Sequence, residues 1–340
     1  MRRSDRPPST LAPVGGELMD GFGRVHRDLR ISVTDRCNFR CRYCMPAEGL
    51  EWLPRDGLLS FEEISRVASL VVERFGIRSI RLTGGEPTVR AKLPDLVRLL
   101  SPLPVDLALT TNGATLRLLA AELAEAGLGR INVSLDSLRR DRFEELTLRD
   151  GLARVLDGIE AALAAGLSPV KVNVVVMRGV NDDELVDFAR FGRELGVTVR
   201  FIEFMPLDAE EAWSEAAVVS QEEILATIGA VYPLEPPARS NAPATRFRYM
   251  DGGGEIGVVA SVTQSFCDSC DRIRLTADGQ FRNCLFATEE FDLRGLLRSG
   301  ASDDEVADLV ERAVAAKWAG HGIGRVDFIR PARSMSQIGG

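Results

Sequence analysis

The sequence predicts an α/β fold of six successive βα units, an open or closed barrel with a polar interior. Two observations predict it. From Leu29 onward, short strand-like runs alternate with longer helical ones, the pattern of repeated βα units and a parallel sheet. Within the strand-like runs apolar and polar residues alternate, so one face can meet helices while the other lines a lumen. Right-handed crossovers leave a doubly wound open sheet as the main alternative.

The chain has 340 residues, enough for a full core. Residues 1–16 carry Arg2, Arg3 and Arg6 among Pro, Ser and Gly but no apolar stretch of signal-peptide length, and residues 1–20 are expected to form a mobile leader. Strands are expected at 29–34, 78–83, 105–111, 130–135, 169–177 and 197–204. Ser60 ahead of Phe61-Glu62-Glu63 reads as an N-cap with a capping box, and Gly127, Gly166 and Gly196 stand where helices should stop.

The apolar parity includes Leu29, Ile31 and Val33, then Ile131, Val133 and Leu135, then Val172, Val174 and Val176. The other parity holds Arg30, Ser32 and Thr34; Arg81 and Thr83; Thr110 and Asn112; Asn132, Ser134 and Asp136; Lys171 and Asn173. A packed barrel core would be Val, Ile and Leu at such positions. A solvated sheet face would explain one or two such strands, but here the pattern persists with Arg30, Arg81 and Lys171 all inward. The interior suits a polar, charged ligand.

Cys37, Cys41 and Cys44 form a C-x3-C-x2-C run in the loop after the first strand, on the carboxyl face where βα barrels build their sites. Cys267, Cys270 and Cys284 form the second trio, so no cysteine is left over. A structural zinc site usually takes four Cys or His ligands, and the only histidines are His26 and His321. Three thiolates fit a four-iron cluster with one iron free of protein ligands, where a small molecule can bind. Disulfides, or zinc sites pooling the six thiolates, are the rival readings; nothing marks the chain as secreted. Thr83-Gly84-Gly85-Glu86-Pro87 follows the second strand, with glycines that allow close backbone approach and a Glu86 that offers an acceptor for an amine. Alone it could be only a βα turn; beside the cysteine loop it points to a ligand.

Past residue 204 the pattern changes: 205–217 is acidic and irregular and 233–243 is rich in proline and small residues, which places a border near 235. A strand is expected at 255–264, a hairpin turn at Asp278-Gly279 that returns Cys284 to its trio, and a last helix at 302–317. Arg272 and Arg274 share parity there, either as a surface ion-pair set or as forks for phosphate. By position alone the tail would be disordered. The net charge of -8 argues against an extended nucleic-acid face, and no apolar run is long enough to cross a bilayer, so a soluble, cytoplasmic protein is expected.

Several runs carry a resemblance: the stretch 28–41 from Asp28 to Cys41, the Thr83–Pro87 turn, Asn132-Val133-Ser134-Leu135-Asp136, Arg200-Phe201-Ile202-Glu203-Phe204-Met205, the stretch 267–275 and the closing Gly-Gly. With them the chain resembles the radical S-adenosylmethionine (SAM) enzymes and, among them, the GTP 3′,8-cyclase family of molybdenum-cofactor biosynthesis, from about residue 21 to the end. The resemblance implies a partial (βα)6 TIM-like barrel of the radical SAM type with a C-terminal iron-sulfur subdomain, divided as 21–235 and 236–340. It implies two [4Fe-4S] clusters, the first on Cys37, Cys41 and Cys44 with S-adenosyl-L-methionine on its open iron, the second on Cys267, Cys270 and Cys284 facing guanine. Tyr43, Gly85, Ser134 and Met205 take SAM-contacting positions, and Arg30, Arg81, Thr110, Lys171, Arg272, Ile273 and Arg274 take GTP-contacting ones. Arg272, Arg274, Gly339 and Gly340 are carried over as catalytic, the glycines because the family's tail reaches into the active site.

The implied reaction converts GTP to (8S)-3′,8-cyclo-7,8-dihydro-GTP after a 5′-deoxyadenosyl radical takes the C3′ hydrogen. The implied partners are GTP, an electron donor and the next enzyme, cyclic pyranopterin monophosphate synthase, with no nucleic acid or membrane; a homodimer is left open. Thr88 departs from the family, which more often has an aliphatic residue there, and the leader is extra. A radical SAM peptide maturase with an auxiliary cluster is the near alternative, disfavoured by the basic lumen. A non-catalytic iron-sulfur or zinc protein is the distant one.

Overall fold

The computed structural model describes residues 16–46, 48–207, 213–237, 243–326 and 328–339. Six strands, β1 (Asp28–Ser32), β2 (Ser79–Thr83), β3 (Asp106–Thr111), β4 (Arg130–Ser134), β5 (Val170–Val176) and β6 (Thr198–Glu203), lie side by side in chain order. Every neighbouring pair among them is parallel. An unreversed order is that of a partial barrel and not of a doubly wound sheet, whose order turns back at a switch point.

The crossovers are α1 (Phe61–Phe75), α2 (Leu93–Leu100), α3 (Leu116–Glu125), α4 (Arg140–Thr147) with α5 (Leu152–Ala164), α6 (Leu185–Leu195) and α7 (Gln221–Gly229). Local chemistry sets their ends. The Ser60 hydroxyl accepts from the Glu63 amide while Glu63 accepts from the Ser60 amide, and Gly76 closes α1 at φ 68°. Gly196 closes α6 in the same left-handed way. Leu29, Ile31, Val33, Ile131, Val133, Val172 and Val174 pack with the inner faces of these helices in one apolar core.

The sheet does not end at β6. β8 (Glu255–Val259) joins β6 in parallel and β7 (Thr245–Arg248) pairs outside it antiparallel. On the other flank β9 (Arg272–Leu275) joins β1 in parallel, followed by β10 (Gln280–Arg282) and β11 (Phe291–Asp292). Eleven strands thus form one sheet, ordered β11-β10-β9-β1-β2-β3-β4-β5-β6-β8-β7. The border near residue 235 divides the chain but not the sheet, because the segment after it covers both open edges of the barrel. β8 is shorter than the expected strand at 255–264, giving way to turns after Val259.

Among the described residues three further α-helices follow: α8 (Leu293–Arg298), α9 (Asp303–Ala315) with a capping box on Ser302, and α10 (Met335–Ile338). Within the expected leader, Leu18 and Asp20 are already buried, so packed chain starts before residue 21; residues 1–15 lie outside the described set. Among the described residues no helix is long and apolar enough to cross a membrane.

Candidate active site

Strand register assembles a row of guanidinium groups. Arg30 is the Cα partner of Arg81 on β2 and of Arg274 on β9, and Asp28, one pleat back, partners Arg272. The Nε groups of Arg30, Arg81, Arg272 and Arg274 are buried with no hydrogen-bond partner among the described residues. Burial, then the charge of neighbouring arginines, lowers Arg30 to about 9; burial lowers Arg81 to about 10, and burial with Arg30 and Arg272 lowers Arg274 to about 9. All three remain cationic at neutral pH. Burial opposes ionisation of Asp28, yet Arg30, Arg81, Arg272 and Arg274 hold it below the usual carboxylate range. One carboxylate among four buried cations leaves an environment that favours a multiply charged anion.

Farther round the lumen Asn132 is the Cα partner of both Thr110 and Lys171, and its amide donates to Thr110 Oγ1 at 3.2 Å. Burial and then Arg200, Arg130 and Arg81 lower Lys171 to about 8. Ile273 differs from its neighbours: it is fully buried in the apolar core opposite Leu29, so only its main chain can meet a ligand.

The first cysteine loop is clamped by the turn after β2. Gly85 N donates to Thr34 O and Glu86 N to Arg36 O, both at 2.7 Å. A Cβ at Gly84 would lie 2.5 Å from Thr34 O, and one at Gly85 2.4 Å from Asp35 O, so only glycine fits either place. Glu86 braces the turn as well. Its carboxylate accepts from Thr88 N (3.0 Å), Thr88 Oγ1 (2.5 Å) and Thr111 Oγ1 (2.6 Å) on Oε1 and from Asn112 N (2.6 Å) on Oε2. It ties β2 to β3, and the unusual Thr88 supplies two of the four donors.

Within the loop Phe39 N and Asn112 Nδ2 are directed at Cys37 Sγ, 3.4 and 3.9 Å away. Burial raises Cys37 to about 11 and, with Cys37's charge, Cys44 to about 12; burial and then Cys44 raise Cys41 well above normal. Tyr43, between them, donates to Asp136 Oδ2 at 2.6 Å, and Asp136 Oδ1 accepts from Val175 N at 2.8 Å. Ser134 and Met205 are half-buried near the ends of β4 and β6.

At the second trio, Lys317 reaches Cys270 Sγ at 3.7 Å and donates to Arg272 O at 2.9 Å, with His26 Nε2 on its other side at 2.8 Å. Burial would raise Cys270, but Arg272 and Lys317 bring it down to about 6. The tail runs into the lumen as far as Gly339: Ser336, Ile338 and Gly339 are buried, and a Cβ at Gly339 would sit 2.9 Å from Ser32 Cβ and Thr83 Cγ2. Gly340 lies outside the described residues.

All six thiols are free, and among the described residues no three His, Cys, Asp or Glu side chains are arranged to hold one metal ion. In a four-iron cluster each thiolate binds a different iron, which spaces the sulfurs more widely than around a single ion. The members of each trio feel each other's charge, and amide or ammonium donors face Cys37 and Cys270, as cluster sulfurs require. The donor sets fit two [4Fe-4S] clusters, each with an iron left for a small ligand.

Residues 31–192 match the model of the Radical SAM superfamily and 197–323 that of Molybdenum Cofactor Synthesis C. The GTP 3′,8-cyclase of Rhodopirellula baltica is 48% identical over 99% of this chain and 96% of its own, and that of Mycobacterium marinum 50% identical over 97% and 94%. The chain belongs to the GTP 3′,8-cyclase family. In fold it is similar to Streptococcus suis SuiB bound to S-adenosylmethionine, at a TM-score of 0.56 and 12% identity over 84% of this chain and 68% of the other.

For a GTP 3′,8-cyclase family member, three lumen residues escaped sequence reasoning as sites. Arg200, the Cα partner of Asn173, is lowered to about 10 by burial and then Arg130, and its inward parity on β6 was the available signal. Asp28 shares parity with Arg30 and was equally legible. Asp136 was placed inward, but its bond to Tyr43 joins residues 93 apart.

Proposed function

We propose that this chain is a radical SAM GTP 3′,8-cyclase of molybdenum-cofactor biosynthesis, working as a barrel over 21–235 and a second-cluster part over 236–340. The observation that carries the reading is the row Arg274, Arg30 and Arg81 on adjacent strands. A triphosphate supplies the charge that such a row calls for, and a peptide substrate does not.

When bound, the clusters and S-adenosylmethionine supply the radical that takes the C3′ hydrogen of GTP. The chain supplies placement. Arg30, Arg81, Arg272, Arg274 and Lys171 bind the phosphates by charge-assisted hydrogen bonds, while Thr110, fixed by Asn132, limits the nucleoside's freedom. Tyr43, Gly85, Ser134 and Met205 shape the SAM site. Arg272 and Arg274 share β9 with the approach to the second trio, so one short strand couples phosphate grip to the base. Gly339 closes the lumen at the ends of β1 and β2, excluding water from the radical's path. An electron donor, product hand-off to cyclic pyranopterin monophosphate synthase, homodimeric assembly and a cytoplasmic location complete the proposal.

The test is anaerobic reconstitution with iron and sulfide, followed by S-adenosylmethionine, a reductant and GTP, with products read by mass spectrometry. GTP-dependent 5′-deoxyadenosine together with a species isomeric with GTP is expected. Deoxyadenosine formed at the same rate without GTP, and no isomer, would remove GTP as the substrate.

A further inference from the structure

The segment that runs into the lumen is held at its root by one side chain. Arg333 Nη1 and Nη2 donate to Asp278 Oδ1 and Oδ2 at 3.0 and 2.8 Å, a two-pronged pairing, and Nε and Nη2 donate to Glu290 Oε2 at 3.0 and 2.8 Å. All three side chains are largely shielded, at 23%, 14% and 22% exposure. Asp278 is itself fixed, because Thr276 Oγ1 donates to its Oδ1 at 2.6 Å within the β9–β10 turn. Glu290 also pairs with Arg282, which is buried on β10.

Directly after Arg333 a capping box between Ser334 and Gln337 starts α10, whose Ser336 and Ile338 are buried. Gly339, at φ 86°, then passes between Ser32 and Thr83. The hairpin that receives Arg333 is the one that carries Arg272 and Arg274 and leads to Cys284.

We infer that Arg333 is a positioning residue for the reaction: its pairing with Asp278 and Glu290 docks the tail so that Gly339 sits against β1 and β2, and it locks tail and arginine hairpin into one unit. The inference rests on the cyclase reading above. Arg333 touches no reacting atom; it acts through the tail. Its fork matters because two carboxylates from different parts of the chain are engaged by one planar group.

The test compares Arg333→Ala and Arg333→Lys with wild type in the reconstituted full-length enzyme. Amide hydrogen exchange is read in peptides spanning 334–339 and in β1–β6, alongside iron content and GTP kinetics. In Arg333→Ala, tail exchange should rise about tenfold or more and kcat fall by a similar factor, with KM for GTP changed less than about twofold and iron content unchanged. Arg333→Lys should recover part of both. Unchanged tail exchange in Arg333→Ala overturns the inference, as does a freed tail with wild-type kcat. Equal loss of protection across β1–β6 overturns it too, because Arg333 would then be general support. If Arg333→Ala does not fold, Asp278→Asn is held to the same exchange pattern at smaller size. Wild type that makes no isomer of GTP defeats the cyclase reading instead, whereas tail exchange decides the anchor without turnover.

Discussion

Arg30 and Arg81 face each other across β1 and β2 as direct register partners, with Arg274 flanking Arg30 from β9. Like charges so placed destabilise a sheet, and burial adds to the cost. A bound anion would offset that cost. Arg30→Gln should therefore hold or raise the melting temperature while raising the KM for GTP about tenfold or more, the loss of a charge-assisted contact. Calorimetry beside steady-state kinetics checks both; a lower melting temperature with unchanged KM would deny Arg30 its place in the site.

Lys171 gives the site a pH limit. Burial and then Arg200, Arg130 and Arg81 hold its folded pKa at about 8, below the ordinary 10.5. Between those values the unfolded chain binds more protons than the folded one, so the strain of burying the cation is fully present below about pH 8 and is relieved as pH rises toward the unfolded value. Ligand binding runs the other way. A phosphate needs the cation, so GTP affinity should be flat below about pH 8 and fall by up to about tenfold per pH unit above it. In Lys171→Arg the fall should move to higher pH. GTP titrations from pH 6.5 to 9.5 test this, and an unmoved profile in the variant would assign the titration to another group.

Glu86 should matter to folding more than to ligand binding. Glu86→Ala leaves the buried Thr111 hydroxyl and the Thr88 and Asn112 amides without their acceptor, each costing about 1–3 kcal/mol. Thermal unfolding should show a drop of several degrees, with Glu86→Gln milder because one acceptor oxygen survives. A melting temperature equal to wild type in Glu86→Ala would return Glu86 to the ligand.

The alternation of side chains made Arg30, Arg81 and Lys171 legible, since a strand's period of two is local and a basic residue on the parity facing away from the helices is conspicuous. Cysteine spacing exposed both trios for a similar reason. The extension of the sheet was not legible: nothing in 245–292 says that β8 will seek β6 while β9 seeks β1, because edge pairing is decided by the shape of the barrel already formed. Nor were the long links, Tyr43 to Asp136 and Arg333 to Asp278, which depend on chain brought together from distant positions. The bracing role of Glu86 was hidden because a motif shows an acidic side chain without showing that Thr88, Thr111 and Asn112 donate to it.

Asp136 holds Tyr43 inside the cysteine loop, so its effect should fall on SAM. Burial raises Asp136 to about 6 despite the Tyr43 and Val175 bonds, which makes the uncharged Asn an acceptable replacement. Asp136→Asn should keep near-normal kinetics, whereas Asp136→Ala should raise the KM for SAM about tenfold and leave that for GTP within about twofold. Equal rises in both values would mean that the barrel end as a whole had moved.

Gly339 leaves no room for a side chain. Its φ of 86° is disfavoured for any other residue, and a methyl group there would press on Ser32 Cβ and Thr83 Cγ2 at 2.9 Å. Neither neighbour can retreat, because β1 and β2 are paired through Ser32 and Thr83 and backed by the core. Gly339→Ala must therefore displace the tail and not the barrel. Since the tail stands outside the barrel's apolar core, the melting temperature should change by less than about two degrees. Turnover should fall about tenfold or more, because a small displacement at a reacting centre is expensive, while GTP binding should persist. Kinetics, GTP titration and calorimetry on the one variant separate these terms. Intact turnover with a displaced tail would show that closing the lumen is unnecessary for the reaction, and lost GTP binding would place the tail in the substrate site.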